Sequence, residues 1–502
     1  YNIGHLMEAA LAHRLATGKT TLWAIAESAL NLVMKEFGPG KRENPPGHQE
    51  IELALIQWYK VGRDPRHLDL ARFFLDSRGN HSRRESYGEY SQDHLPIALQ
   101  DKAVGHSVRA MYMYAAMADL MAMGLRPEYR KVLETVWTDI ISKKMYLTGG
   151  LGSDGSFEGF GPAYHLPNLT AYAETCASVA AFFWQQRMFL ASGDSRYVDV
   201  MERMLYNGIL SGISQSGDRF FYTNPLASEG KVQRKSWFGC ACCPPNVSRL
   251  IASLGGYVYA LQDNMLYVNF YAQNRAVFNF IDQSWTVTQT TRYPYDGTVR
   301  MAISPRHPTQ ATLKLRIPGW ARGKPVPSDL YRQHMPPLEP VKLKLNGREK
   351  AFRLVNGYAE IRRTWTTGDS IELTLPMPVQ QITAHPAVTS DRGRQAIERG
   401  PLVYCMEDPD NEGQIQNRTL PMNVHFHVIA PPGKAAISWE QDEGKLISRQ
   451  VHDLVTEWGG SISAEHGIGQ LKREELARLG DPVSLAMMRQ VKQALDPAGL
   501  LN

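Results

Sequence analysis

The sequence predicts a mixed multidomain protein: a toroid of paired helices, then an all-β sandwich, then a small α+β segment at the C-terminus. Three observations carry this. Apolar residues recur with a helical period from residue 2 to about 260, the period falls to two after Gly256, and the pattern changes again beyond Leu420. The domains expected are therefore 1–260, 261–420 and 421–502. At 502 residues the chain can build several cores, and 43% hydrophobic against 21% charged residues is the balance of a globular protein rather than a disordered one.

In the helical region Ile3, Leu6, Met7, Ala10 and Leu11 share one helix face, and Leu22, Ile25, Ala26, Ala29, Leu30 and Val33 share the next. The connections "ATGKTTL", "VGRDPRHL", "AMGLRPEY" and "ASGDSRYV" follow one pattern. Gly18, Gly62, Gly124 and Gly193 each close a helix, since glycine accepts the left-handed conformation, and Pro65 and Pro127 sit where another helix can begin. Such joints make antiparallel hairpins. About nine helices are expected before residue 262, with long loops at 79–100, 145–168 and 214–243. The spacing is too irregular for a tetratricopeptide-like solenoid of period about 34, and suits a toroid with its site on one rim.

The β region follows. "MLYVNFYAQNRAVFNF", "SWTVTQTTRY", "ATLKLRIPGW", "VKLKLNG", "YAEIRRTW" and "SIELTLPM" alternate, or are rich in β-branched and aromatic residues, to about residue 406. Beyond Leu420 come "HFHVIAPPGKAA", a helix, "GGSISAEHGIGQ" and a final amphipathic helix.

Composition excludes some functions. Lys and Arg exceed Asp and Glu by only +5 with no basic block, so no nucleic-acid partner is expected. No apolar run reaches the roughly 18–20 residues needed to span a bilayer, and "YNIGHLMEAA" has neither the basic start nor the apolar stretch of a signal peptide. That opening reads as the interior of a helix. Five cysteines are an odd number, and vicinal ones make poor disulfide staples, so a reducing, cytoplasmic setting is expected.

Three of those cysteines, Cys240, Cys242 and Cys243, fall within "WFGCACCPPN". With Glu174 and Cys176 of "AETC" they supply enough thiolate and carboxylate groups for one zinc site. Two features oppose it: "CACC" lacks the gaps of a zinc finger, and Glu174 and Cys176 would project roughly 200° apart on a regular helix. Buried, inert thiols are the other reading that the residues leave open.

The run "EGFGPAYHLPNLTAYAETCA", followed by "FFYTNPL" and "WFGCACCPPN", resembles the signature of glycoside hydrolase family 127, the β-L-arabinofuranosidases. The similarity extends over about residues 1–415, through "YNIGHLMEAA", "GHQEIELAL", "YSQDHLP", "AVGHSVRAMYMY", "KMYLTGG" and "RGPLVYC". It implies an (α/α)6 toroid, incomplete here because about three of twelve helices are not represented, followed by β-sandwich domains. It also implies a retaining hydrolase of arabinosides, small or oligomeric, with Zn2+ as cofactor. Cys242 resembles the nucleophile, and Glu174, Cys176 and Cys243 join it around the zinc. Glu158 in "SFEGFG" matches the general acid/base. His5, His48, His106 and Tyr222 resemble sugar contacts, where a lone histidine at a helix start would otherwise read as a cap or core residue. Cys240 is left unassigned.

From about Met422 the sequence is similar to another family. "GGSISAEHGIGQLKREEL" and "LAMMRQVKQALDPAGLLN" resemble the tail of flavin-dependent oxidases of the vanillyl-alcohol-oxidase type, in which Glu465 and His425 match metal ligands and His466 an active-site histidine. A fused fragment is expected. The rival functions are accordingly a flavin-linked 2-hydroxy-acid dehydrogenase and a non-catalytic carbohydrate-binding protein.

Overall fold

The structure is a computed structural model that describes residues 1–334, 339–407, 424, 426–429, 435–439 and 446–449. The positions of His425, Glu465 and His466 lie outside the described residues. Nine α-helices precede residue 254: α1 (Asn2–Thr17), α2 (Thr21–Glu36), α3 (Glu50–Gly62), α4 (Pro65–Ser77), α5 (Ser107–Ala122), α6 (Tyr129–Lys143), α7 (Thr175–Ser192), α8 (Ser195–Arg203) and α9 (Cys243–Ser253).

Burial separates them into two layers. α5 and α7 are buried almost all round, Ala110 to Met121 on one and Thr175 to Trp184 on the other, as helices that no face exposes to water must be apolar throughout. α2 buries only Trp23, Ala26 and Leu30. The odd-numbered helices pack side by side, α1 on α3, α3 on α5, α5 on α7 and α7 on α9, while α2, α4, α6 and α8 each back onto the preceding helix. The outcome is an inner arc of five helices and an outer arc of four among the described residues. Arg249 of α9 pairs with Glu8 of α1, joining the two ends of the arc.

All four expected hairpins are present. Gly18 and Gly193 cap α1 and α7 in the left-handed conformation, with φ of 71° and 66°. At the second joint the expectation needs correcting: Gly62 is the last helical residue of α3, and Arg63 takes the left-handed position with φ 58°. Pro65 opens α4 behind Asp64, whose carboxylate accepts from the Arg66 amide. Antiparallel pairing puts the N-termini of all odd helices on one rim. The long loops 78–106, 144–174 and 213–242 all run into those N-termini.

Strands begin at Tyr259. A five-stranded sheet orders Tyr259–Gln262, Met265–Val268, Thr309–Arg316, Tyr358–Trp365 and Leu354–Val355, and a six-stranded sheet orders Asn274–Phe280, Gln283–Thr291, Thr298–Pro305, Asp369–Thr374, Lys342–Leu345 and Arg348–Glu349. Alternation puts Ala311, Leu313 and Leu315 of the first sheet against Val299, Met301 and Ile303 of the second, which makes the expected sandwich. A four-stranded sheet follows, containing Val379–Ala384 and Ala396–Arg399. Beyond it, where the sequence suggested a helix after Ala436, the described residues form strands Ala435–Trp439 and Leu446–Arg449, paired with Phe426–Ile429. Ile437 packs with Ile397, Leu402 and Tyr404. A stretch as short as "AAISW" suits a strand as well as a helical turn, and its pairing with Phe426–Ile429 makes it a strand.

α8 fastens the helices to the strands. Arg316, fully buried, donates to Asp199 at 2.8 Å and to Glu202, while Tyr293 and Trp320 also donate to Glu202 at 2.6 and 3.2 Å. Arg203 pairs with the buried Glu398 at 2.7 Å.

Candidate metal centre and active site

The site is assembled from residues at the starts of the inner helices. His106 is the N-cap of α5, Glu174 of α7 and Cys242 of α9, and His48 lies just before Gln49, the N-cap of α3. The rim therefore gathers the electropositive ends of several helices, which favours carboxylate and thiolate there. Cys242 and Cys243 can open a helix because Pro244 and Pro245 fall in its first turn, where no intrahelical amide is needed.

Two distant segments meet at the sulfurs. Cys176 Sγ lies 3.3 Å from Cys243 Sγ, Cys242 Sγ is 3.8 Å from Cys243 Sγ, and Glu174 Oε1 is 3.5 Å from Cys242 Sγ and 4.0 Å from Cys243 Sγ. The four ligand atoms lie within 4.8 Å of one another. The 200° objection fails for a local reason: Glu174 is not helical. It caps α7 with φ −58° and ψ 132°, after Ala173 at φ 40°, and its extended backbone turns its carboxylate back toward Cys176 in the first turn.

The donor set lacks a counter-charge. Burial and the neighbouring Cys242 hold the Glu174 carboxyl well above the usual range, burial pushes the Cys176 thiol up, and thiol hydrogen bonds from Cys176 and Cys243 pull Cys242 down. Glu174 Oε2 is buried without a hydrogen-bond partner among the described residues. Three thiols and a carboxylate in one dry cluster can all ionise only around a cation, and the soft sulfur donors suit a thiophilic divalent ion. The cluster therefore fits a metal. Cys240 stands apart: it is exposed, and its carbonyl accepts from the Cys242 amide at 3.1 Å.

Glu158 occupies the 144–174 loop with φ 57°. The loop closes on itself through Asp154 and Gly159, and the Ser107 amide donates to the Glu158 carbonyl at 3.1 Å. Gly159 is required there, since a Cβ would meet the Gly105 carbonyl oxygen at 2.0 Å. The Glu158 carboxylate, 39% exposed, lies 3.0 Å from His106 Nε2. His106 Nδ1 accepts from the Arg109 amide, so Nε2 carries the proton and donates to Glu158. One oxygen of Glu174 also lies within 4.8 Å of this pair, so the thiol cluster and the exposed carboxylate are contiguous.

The remaining candidates surround the same space. Tyr1 lies 4.4 Å from the His5 ring and 4.7 Å from His48, His48 lies 6.5 Å from His106, and Tyr112 lies within 6.2 Å of His5 and 5.5 Å of His48. Burial pushes the three imidazoles down, leaving them neutral with both a donor and an acceptor nitrogen. Tyr222 reaches the site because the Thr175 amide, beside Glu174, donates to its carbonyl at 3.0 Å, and its hydroxyl hydrogen-bonds to Cys242. Every site residue expected within residues 1–260 is thus in one neighbourhood. Those it did not mark are Tyr112, Asn246, Arg249, Glu8 and Glu50. The last is fully buried beneath Gly4, where a Cβ would collide with its carboxylate at 1.4 Å.

Comparison with known proteins gives this arrangement a family. Residues 1–256 match the GH127 catalytic domain described as beta-L-arabinofuranosidase. The chain belongs to glycoside hydrolase family 127. The GH127 middle domain matches residues 265–377 and the family's C-terminal domain residues 379–447. The non-reducing end beta-L-arabinofuranosidase of Bifidobacterium longum subsp. longum is 34% identical over 459 residues, covering 84% of this GH127 chain, which spans 66% of that relative's length. A GH127 β-L-arabinofuranosidase structure from Geobacillus stearothermophilus T6 superposes with a TM-score of 0.81 at 37% identity, over 89% of this chain and 76% of that one. A further GH127 β-arabinofuranosidase structure gives 0.83 at 43% identity, over 89% and 72%. Residues 417–502 match the C-terminal domain of FAD-linked oxidases, overlapping the GH127 match. In that part the D-2-hydroxyglutarate dehydrogenase of Stutzerimonas stutzeri is 34% identical over 82 residues, 16% of this chain and 17% of that protein. Among the described residues no helix is long and apolar enough to cross a membrane.

Proposed function

We propose that the chain is a retaining hydrolase of β-L-arabinofuranosides with Cys242 as nucleophile and Glu158 as general acid/base. One observation carries the reading: thiols from two distant segments meet in a cluster that Glu174 makes contiguous with the His106–Glu158 pair. Zinc held by Glu174, Cys176, Cys242 and Cys243 would keep the thiols ionised and so supply a thiolate at neutral pH.

Cys242 Sγ then attacks the anomeric carbon as the glycosidic C–O bond breaks, and Glu158 gives its proton to the departing oxygen. A thioglycosyl enzyme results. Glu158, now a carboxylate, takes a proton from water, whose oxygen displaces the sulfur and restores the original anomeric configuration. His106, with both ring nitrogens engaged, orients Glu158 through its Nε2–H, and the neutral His5 and His48 together with Tyr222 offer hydrogen bonds to sugar hydroxyls. The thiols of Cys176, Cys240, Cys242 and Cys243 are in no disulfide, which supports a reducing, cytoplasmic compartment.

Kinetics on two arabinosides test the roles. Cys242→Ser should lower kcat by at least about 10³-fold on both an alkyl and a p-nitrophenyl β-L-arabinofuranoside. Glu158→Gln should lower kcat/KM, which reports formation of the intermediate, by about 10²–10⁴-fold on the alkyl substrate, whose leaving group needs the proton, and far less on the p-nitrophenyl one. Turnover by Cys242→Ser at the wild-type rate would remove the nucleophile assignment. For residues 421–502, the match is to the C-terminal domain of FAD-linked oxidases and spans 17% of the Stutzerimonas stutzeri dehydrogenase, which favours a fused fragment without flavin chemistry of its own. The purified protein should then show no flavin absorbance, and a stoichiometric yellow cofactor would instead support the dehydrogenase reading.

A further inference from the structure

Asn246, 1% exposed on the first turn of α9, has both ends of its amide engaged. Nδ2 donates to Cys176 Sγ at 3.2 Å, and Oδ1 accepts from Arg249 Nε at 2.9 Å and from the Tyr112 hydroxyl at 3.2 Å. Two donors facing Oδ1 fix which way the amide points: a flipped amide would set its NH2 against the guanidinium and its oxygen against the sulfur. The donors are themselves fixed. Arg249 pairs with Glu8 of α1 and donates through Nη2 to the Tyr112 hydroxyl at 2.5 Å. Three inner helices, α1, α5 and α9, therefore converge on one amide whose nitrogen faces a sulfur of α7.

The three thiols of the cluster are thus not equivalent. Cys176 is buried at 1% exposure and receives the amide donor, Cys242 is half-buried at a helix N-cap, and among the described residues no side-chain amide donates to Cys242 or Cys243. An N–H donor on a thiolate fixes its position and draws charge from the lone pair that would attack carbon, as partners behind a metal ligand generally do. We propose that Asn246, clamped by Arg249 and Tyr112, is a positioning residue that holds Cys176 as a fixed metal ligand and leaves Cys242 as the sulfur free to leave the cluster. The proposal rests on reading the cluster as a metal centre, and explains how three adjacent thiols can divide into ligands and nucleophile.

Metal affinity of the full chain tests it independently of turnover. Zinc is competed against a chromophoric chelator, and cobalt(II) is substituted to read the thiolate-to-metal absorption. Asn246→Asp keeps the shape and the acceptor for Arg249 but replaces the donor, and Asn246→Ala removes both. Either should weaken zinc binding about 10–100-fold and alter the cobalt–thiolate band. Tyr112→Phe, which removes one anchor without opening a cavity, should produce a smaller loss in the same direction and serves if the Asn246 variants unfold by circular dichroism. Folded variants that bind zinc within twofold of wild type with an unchanged cobalt band overturn the proposal. A wild-type chain that binds no divalent ion overturns the metal-centre reading, and this one with it.

Discussion

Glu174 at the helix rim and Glu202 at the junction of helices and strands are equally buried, each 1% exposed, yet they sit in opposite surroundings. Glu202 accepts from Arg316, Tyr293 and Trp320, so its charge is paired and its lone pairs are occupied. Glu174 faces three thiols, and one of its oxygens has no partner among the described residues. A buried carboxylate that the chain itself satisfies is architecture. One that the chain crowds with further acids and leaves short of a cation has been kept for something that arrives from outside.

The largest effect should come from breaking the satisfied pair. Arg316→Met leaves the buried Glu202 with no guanidinium and Asp199 with only that of Arg322, a loss of about 3–5 kcal/mol by denaturant unfolding. Zinc affinity of the folded fraction should stay at the wild-type value, because Arg316 bonds Asp199, Glu202 and the Asn269 carbonyl and none of Glu174, Cys176, Cys242 and Cys243. A lost metal in this variant would mean that the two regions are coupled.

Glu174→Gln makes the complementary cut. Burial already favours the protonated carboxyl in the metal-free protein, and glutamine is close to its isostere, so metal-free stability should change by less than about 1 kcal/mol. Zinc binding should weaken about 100-fold, near 2.7 kcal/mol by titration against a chelator, since the amide oxygen is a poorer ligand than a carboxylate. A large loss of metal-free stability with unchanged zinc affinity would make Glu174 a structural acid like Glu202.

The two regions also differ in how far the sequence reveals them. The helix hairpins and the sandwich are periodic, so Gly18, Gly193 and Pro65 mark their own joints, and "ATLKLR" shows which side of its strand is inward. The thiols announce themselves by rarity. Their geometry does not, because helical spacing sets Glu174 and Cys176 on opposite faces and only the extended backbone at Glu174 reverses that. Asn246 sits in plain view in "CCPPN", but its bond to a sulfur 70 positions earlier depends on how α7, α9 and α5 pack. The Glu202 network spans up to 118 positions and carries no motif at all. Local rules reach what is periodic or chemically rare, and ordinary polar residues become functional only through tertiary contacts.

The smallest effect concerns the fourth nearby sulfur. Cys240 lies two positions before Cys242, where Cys243 lies one after it, but Cys240 is exposed, and what it contributes is a backbone carbonyl that accepts from the Cys242 amide. Serine preserves that carbonyl and the small side chain. Cys240→Ser should therefore change stability by no more than about 0.5 kcal/mol and leave zinc stoichiometry and arabinoside hydrolysis at wild-type levels. Cys176→Ser, only one atom different in kind but inside the dry cluster, should lose the metal under the same assay. Equal behaviour of the two variants would show that proximity in sequence, rather than burial beside an unsatisfied carboxylate, selects the sulfurs, and the contrast drawn from Glu174 and Glu202 would fail at its most sensitive point.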